Sequence, residues 1–331
     1  MLFLLASCSV PESRYERLLG TVCFVNLYES GKEACYDEIF QRLRQIDDEF
    51  SIDQPQSDLY RINSFADERP VEVCDDVFSV LEMSQKVSSL TNGAFDISVA
   101  PLVSLWRITS DTPHVAEQSE IDAILPLVGY KNIILNSKDK TVRFAKKGMK
   151  IDLGGIAKGF AADEIVKICK KYKVRRAVID LGGNVYVYGK KKKSGLWNVG
   201  IKNPEHPDMA PLIKLSLPEI SVVTSGTYER YFKSKEKLYH HILSPADGYP
   251  VNNELYSVSV ISENSMLADA LTTAFFVLGR KESMEILPSL RENFGFKIEA
   301  VFIQRNHNVF FSKKFPYKYT VLYEDWQSAS D

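Results

Sequence analysis

The sequence predicts an α+β fold, a single two-lobed unit of mixed, largely antiparallel sheets with flanking helices. Helical and strand-like segments are mixed along the chain, and consecutive strand-like segments stand at the spacing of antiparallel pairs. No low-complexity linker interrupts residues 14–325, so that span reads as one compact domain. At 331 residues, 45% hydrophobic and 25% charged, the chain has the profile of a soluble globular protein with a sizeable core. A net charge of −2 gives no global field for nucleic acid or an anionic membrane, and no nucleic-acid partner is expected.

In chain order, Thr21 to Tyr28 reads as a strand. A helix follows from Lys32, with Ile39, Leu43, Ile46 and Phe50 on one face. Ser51 to Asn63 is a polar, Pro55-containing loop that ends in a short element. Asp75 or Asp76 is expected to cap a helix reaching Leu90, which Asn92-Gly93 ends. Residues 107–120 read as loop, Ile121 to Leu127 as a short helix, and Asn132 to Leu135 with Thr141 to Phe144 as a hairpin. Met149 to Leu153 reads as a strand feeding a glycine turn, and Ala161, Ile165, Ile168 and Tyr172 mark the helix after it. Further strands are Ala177 to Leu181, Asn184 to Tyr188 paired with Leu196 to Ile201 around a lysine tip, Ser221 to Ser225, Tyr239 to Leu243 and Tyr256 to Ile261. Met266 to Leu278 is a helix, Lys281 to Asn293 another interrupted by Pro288, and Ala300 to Ile303 and Val309 to Phe311 are late strands.

No stretch is long enough to span a bilayer. Leu5-Ala6-Ser7-Cys8 looks like a lipobox, which would lipidate Cys8 and make residues 1–8 the remnant of a lipoprotein signal. The segment lacks a basic start and a full apolar run, so the signal reads as truncated or as starting upstream. Cys23, Cys35, Cys74 and Cys169 form no CxxC, which argues against zinc. An exported chain can pair some of them.

The richest stretch is Asp152-Leu153-Gly154-Gly155-Ile156-Ala157-Lys158-Gly159. A strand, a glycine turn and a helix start put free N–H groups and a helix dipole at one point, which suits a phosphate, and Lys158 adds a charge. An ordinary strand–helix turn explains the same spacing, and the stretch matches neither the dinucleotide fingerprint nor the P-loop. Asp152 reads as an acceptor for a base, ring or amide, or as a carboxylate near a metal. Asp96 lies in an apolar run and needs a partner, a ligand or a helix to cap. Asp269 and Thr273 are four apart on a helix, a small hard-oxygen pair suited to Mg²⁺, or else a cap. Thr224-Ser225-Gly226-Thr227-Tyr228-Glu229-Arg230-Tyr231 reads as a hydroxyl-rich turn after a strand, able to hold phosphate or a sugar or merely polar. His240 and His241 face opposite sides of a strand, so one can enter a cleft as a base while the other meets core or solvent.

Together these pieces resemble the FAD:protein FMN transferase (ApbE) family. The resemblance is carried by Gly93-Ala94-Phe95-Asp96, Pro101-Leu102-Val103, Leu105-Trp106, Asp152 to Gly159, Asp180-Leu181-Gly182-Gly183-Asn184, Thr224-Ser225-Gly226, His241, Pro245, Gly248-Tyr249-Pro250, and Ala268-Asp269-Ala270 with Thr273. It covers nearly the whole chain. It implies an ApbE-like domain over 14–325 and a Mg²⁺-dependent enzyme that cuts the FAD pyrophosphate, moves FMN onto a Thr or Ser hydroxyl of a target protein and releases AMP. By position, Ala94, Phe95, Asp96, Asp152, Lys158 and Leu243 would contact FAD, as would Leu19, which stands where members often carry methionine. Asp269, Thr273 and the Gly155 carbonyl would hold Mg²⁺, and His241 would serve transfer. Implied partners are flavin-accepting subunits of Rnf- and Nqr-type redox complexes. The implied location is the periplasmic side of the inner membrane, held by the Cys8 lipid.

One departure opens an alternative. Asp53 stands where members often carry a flavin-contacting tyrosine, and a carboxylate there can recruit a second Mg²⁺ and a water, giving hydrolysis of FAD to FMN and AMP. A mobile loop at Asp53 would make the change inert. A third reading, a non-catalytic FAD-binding lipoprotein, needs none of Lys158, His241, Asp269 or Thr273.

Overall fold

The computed structural model describes residues 13–191 and 195–329. Its centre is a nine-stranded sheet: β1 (Arg14–Leu18), β2 (Thr21–Leu27), β3 (Arg176–Leu181), β4 (Asn184–Gly189), β5 (Ile220–Gly226), β6 (Leu255–Ser262), β7 (Ile298–Gln304), β8 (Asn308–Phe311) and β9 (Gln327–Ala329). The strands lie side by side in chain order. Every neighbouring pair is antiparallel except β8 and β9. All other elements are therefore insertions between adjacent strands of one meander.

The helices are α1 (Glu33–Glu49), α2 (Asp58–Phe65), α3 (Asp75–Leu90), α4 (Ala100–Trp106), α5 (Gln118–Ile124), α6 (Ala157–Lys171) and α7 (Ser265–Phe294). The first six fall between β2 and β3, and α7 lies between β6 and β7. Period-two alternation sorts the sheet residues between two cores. Ile298, Ala300 and Phe302 join the helix side with Leu43, Ile165 and Phe275. Val301 and Ile303 join the opposite side, where a sheet of 197–201, 213–217 and 318–321 packs with Trp197, Leu215 and Trp326. Both faces are covered, so all seven residues of β7 are buried. A satellite cluster gathers Leu102, Trp106, Ile121 and Leu243.

Several expectations are corrected. Residues 149–153 join no ladder. The Ile151 N–H and C=O are both taken by the Asn63 side-chain amide, at 2.7 and 3.0 Å, and Asp152 N–H donates to Ile97 O. Residues 184–188 do not pair with 196–201, because β3 and β5 occupy both edges of β4. Residues 197–201 pair instead with 213–217. Thr224 to Gly226 is the end of β5 and the turn itself is confined to 227–229, with Thr224 Oγ1 bonded to Ser259 Oγ and Ser225 Oγ donating to Thr272 Oγ1. The strand expected over 239–243 is Lys237–His240, ending on the first histidine, and is followed by a single bridge from Leu243 to Pro250. Asp75 and Asp76 do not cap α3: Cys74 is its N-cap, and the two acids pair with Lys140 and Arg42. Pro288 does not interrupt the last helix. The break is at Gly279, whose φ of 74° and ψ of 173° is a glycine conformation, and Asn253 Nδ2 takes up the Phe276 carbonyl there. All four described cysteines are free thiols.

Candidate functional site

The site is built on two helix starts that cap each other. On α6, Gly159 touches the beginning of α7 so closely that a β-carbon on it would stand 2.3 Å from Ser265 O. The Gly159 N–H, one of the free donors of the first turn, donates to Asp269 Oδ2 of α7 at 2.9 Å. In return Asp163 of α6 accepts from the Ser265 and Met266 amides of α7 at 3.0 and 2.9 Å. Burial raises both carboxyls, Asp163 to about 6, against the amide hydrogen bonds that favour the charged forms.

Above this crossing lies the glycine turn. Asp152 Oδ1 accepts from Gly154 N–H at 2.6 Å, and Lys158 Nζ donates to Gly154 O at 2.8 Å. Gly155 faces α7: a β-carbon there would stand 3.4 Å from Thr273 Oγ1 and 3.3 Å from the Phe95 ring. The arrangement fits a small hard cation. Asp269 supplies a carboxylate, Thr273 a hydroxyl with no hydrogen-bond partner among the described residues, and Gly155 a backbone turn that leaves a cradle beside them. No three His, Cys, Asp or Glu side chains gather into a metal site among the described residues. The remainder of such a shell falls to backbone, water and ligand oxygens, the habit of Mg²⁺.

The strand ends at His240, so the two histidines are separated by the chain leaving the strand and not by strand alternation. His240 is buried, with Nε2–H donating to Val251 O at 2.8 Å and Nδ1 accepting from Ile242 N–H. His241 is half-buried. Its N–H and its Nδ1 both lie on Arg230 O, at 3.1 and 3.2 Å. A carbonyl only accepts, so Nδ1 carries the proton and Nε2 is left with a free lone pair. Burial, aided by the charges of Arg230 and Lys158, pushes His241 down to about 4. The imidazole is therefore neutral at physiological pH and in the tautomer that a base needs.

Other expected contacts are placed differently. Ala94 lines a cavity of about 470 Å³ with Pro245, Val277 and Glu282. Phe95 is buried against Gly155. The Asp96 carboxylate is consumed locally: Oδ1 accepts from Ser98 N–H and Oγ, and Oδ2 from Tyr130 N–H. It caps the turn that follows, so its side chain offers no ready ligand contact. The Leu243 side chain packs into the Trp106 cluster. Leu19 forms the two-residue tip of the β1–β2 hairpin with Gly20, at φ 52° and 67°, and its N–H donates to Asp47. Asp53 stands exposed on the loop before α2. Cys8 and residues 1–12 lie outside the described residues.

Sequence reasoning gave no individual role to Gly159, Asp163, Asn63 or Arg230, although Gly159 lies in the glycine-rich stretch and Arg230 in the hydroxyl-rich one. Asp163 carried a signal, lying five residues after Lys158 on a helix face that turns inward. Asn63 and Arg230 carried none, because their roles come from backbone groups distant in the chain.

A neutral imidazole near two cations and a hard-oxygen donor pair suits chemistry at a phosphate; holding a flavin calls for none of it. The family follows from comparison with known proteins. Residues 19–296 match the ApbE family. The chain is 35% identical over 310 residues to the FAD:protein FMN transferase of Klebsiella pneumoniae, covering 94% of each. It is 34% identical over 308 residues to that of Treponema pallidum, covering 88% of this chain and 84% of the relative. The crystal structure of the ApbE protein of Thermotoga maritima superposes with a TM-score of 0.83 at 31% identity, over 92% of this chain and 97% of that one. The chain belongs to the ApbE family.

Proposed function

We propose that the protein is a Mg²⁺-dependent FAD:protein FMN transferase. The observation that carries this reading is the His241 tautomer, with Nε2 left without a hydrogen-bond partner among the described residues and the ring held neutral by burial and two nearby cations. In the reaction the acceptor Thr or Ser oxygen attacks the phosphorus on the FMN side of the pyrophosphate. The phosphoanhydride P–O bond breaks, AMP leaves, and the hydroxyl proton passes to His241 Nε2. Lys158 and the first turn of α6 face the developing charge. Mg²⁺ held by Asp269, Thr273 and Gly155 would neutralise phosphate oxygens and fix their alignment.

A second reading is hydrolysis to FMN and AMP, favoured by the exposed carboxylate of Asp53 where an aromatic wall is missing. For location we propose a lipid anchor at Cys8 on the periplasmic side of the inner membrane, supported by Leu5-Ala6-Ser7-Cys8, with Rnf- and Nqr-type subunits as acceptors.

The test combines the protein, FAD, Mg²⁺ and a peptide carrying a Ser/Thr-Gly-Ala-Ser/Thr segment. Products are then read by chromatography and mass. Peptide gaining the mass of FMN with stoichiometric AMP supports transfer. Free FMN and AMP with unlabelled peptide supports hydrolysis, and Asp53→Tyr should then restore labelling. Intact FAD throughout rejects both.

A further inference from the structure

Arg230 stands exposed on the loop after β5, hydrogen-bonded directly to the hairpin tip and to His241 at once. Its carbonyl receives the His241 N–H and Nδ1–H. Its guanidinium reaches back across the cleft edge, where Nη2 donates to Gly20 O at 3.3 Å. That is a long bond to a neutral acceptor, and it uses one of five donors. The adjacent Glu229 offers no balance, since it pairs with Lys202 at 3.3 Å. Arg230 has no ion pair among the described residues. Lys158 is in the same condition, its ammonium resting on the Gly154 carbonyl. The groups whose charges bear on His241 are Arg230 from the β5 loop, Lys158 from α6 and the neighbouring His240, and none is acidic. Two cations thus face one imidazole beside a helix N-terminus, with Asp269 buried below. Arg230 is exposed and Lys158 half-buried, and apart from the Asp269 carboxylate that Lys158 acts on, their charge is open to an incoming anion.

We propose that Arg230 is a movable clamp for the pyrophosphate of the dinucleotide: parked on the Gly20 carbonyl in the free protein, it turns its remaining donors onto phosphate oxygens when the ligand enters. The proposal rests on the flavin-transferase reading for the ligand's identity. A planar guanidinium matches paired phosphate oxygens in a way that the single-point ammonium of Lys158 does not, so the two cations divide the work.

The experiment measures binding of FAD, riboflavin and inorganic pyrophosphate with Mg²⁺ to the whole protein, as wild type, Arg230→Ala and Arg230→Lys. The pH profile of kcat/KM is recorded alongside. A clamp predicts that Arg230→Ala weakens FAD and pyrophosphate by about ten- to hundredfold, the worth of one charge-assisted hydrogen bond. Riboflavin should stay within about twofold, Arg230→Lys should fall between, and the acid limb should move to higher pH as His241 loses a cationic neighbour. Equal weakening of FAD and riboflavin would reduce Arg230 to a fastener of the hairpin and overturn the proposal. Wild-type affinities in Arg230→Ala would overturn it too. Should the wild type bind pyrophosphate but no flavin, the transferase reading falls by itself. The clamp then stands or falls on the pyrophosphate arm alone.

Discussion

At the scale of single residues, two adjacent histidines with similarly low proton affinity do different work, and the reason is where their nitrogens point. His240 has both nitrogens committed, to Val251 O and Ile242 N–H, whereas His241 keeps Nε2 free. His241→Ala should lower transfer by about 10²–10⁴-fold while FAD affinity stays near wild type, since a general base acts on the acceptor hydroxyl rather than on binding. Labelled peptide set against an FAD titration checks both halves. His240 has a different signature. Burial holds it at about 4 against an ordinary value of 6.5, so between those values the unfolded chain binds the extra proton. Its contribution is intact above pH 6.5 and lost as pH falls toward 4. Denaturant titrations at pH 7 and pH 4 should show wild type losing about 1–3 kcal/mol more than His240→Gln, which can still donate to the Val251 carbonyl. The sequence suggested that the two histidines would face opposite sides of one strand, but the strand ends at His240. The sequence did not show the tautomer, because Arg230 O arrives from eleven residues away.

At the scale of elements, the α6–α7 crossing shows why a glycine-rich stretch is more than a turn. Gly154 and Gly155 were legible as a turn before a helix, and Asp269 with Thr273 as neighbours on another. Their meeting was not legible, since 110 residues separate Gly159 from Asp269. The charged edge strand β1 went unread for a related reason: Arg14, Glu16 and Arg17 break the apolar alternation that marks a strand. Met149 to Leu153 was misread because its apolar alternation is satisfied by packing and an asparagine amide instead of a ladder. The crossing separates two glycine substitutions by magnitude. Gly159→Ala places a methyl 2.3 Å from backbone, so the helices must part. It should cost about 1–3 kcal/mol or more and displace Asp269, lowering stability and activity together. Gly155→Ala meets Thr273 Oγ1 at 3.4 Å and the Phe95 ring at 3.3 Å, which small shifts absorb. It should leave the melting temperature within a few degrees yet raise the Mg²⁺ concentration needed for activity. Thermal melts and Mg²⁺ titrations on the two variants read the difference; equal loss of stability in both would reject the cradle at Gly155.

At the scale of the whole molecule, the meander explains how residues so far apart in sequence share one site. With nine strands in chain order, every insertion returns to the strand beside its departure, and three of them meet over β3 to β6. The insertion after β2 brings Asp152 to Lys158, the loop after β5 brings Arg230 and His241, and α7 brings Asp269 and Thr273. A ligand held by all three ties separate stretches of one cooperative unit, so its binding energy should appear in global unfolding. At about one hundred times its dissociation constant a ligand adds about 2.7 kcal/mol. For a domain of this size that corresponds to a rise of about 5 °C, at roughly 2 °C per kcal/mol. FAD with Mg²⁺ should raise the midpoint of a single transition by that amount, and chelation should cancel a large part of it. Asp269→Ala should abolish the part that depends on Mg²⁺ while retaining a smaller shift with FAD alone. The retained part comes from Lys158 and the cleft walls, which do not use the carboxylate. His241→Ala should keep the full shift, separating the base from the ligand's holders. Calorimetry in buffer with Mg²⁺ and with chelator supplies all four numbers. An FAD shift identical in both buffers would remove Asp269, Thr273 and Gly155 from the role of cation site and leave the site to work through Lys158, Arg230 and the α6 dipole.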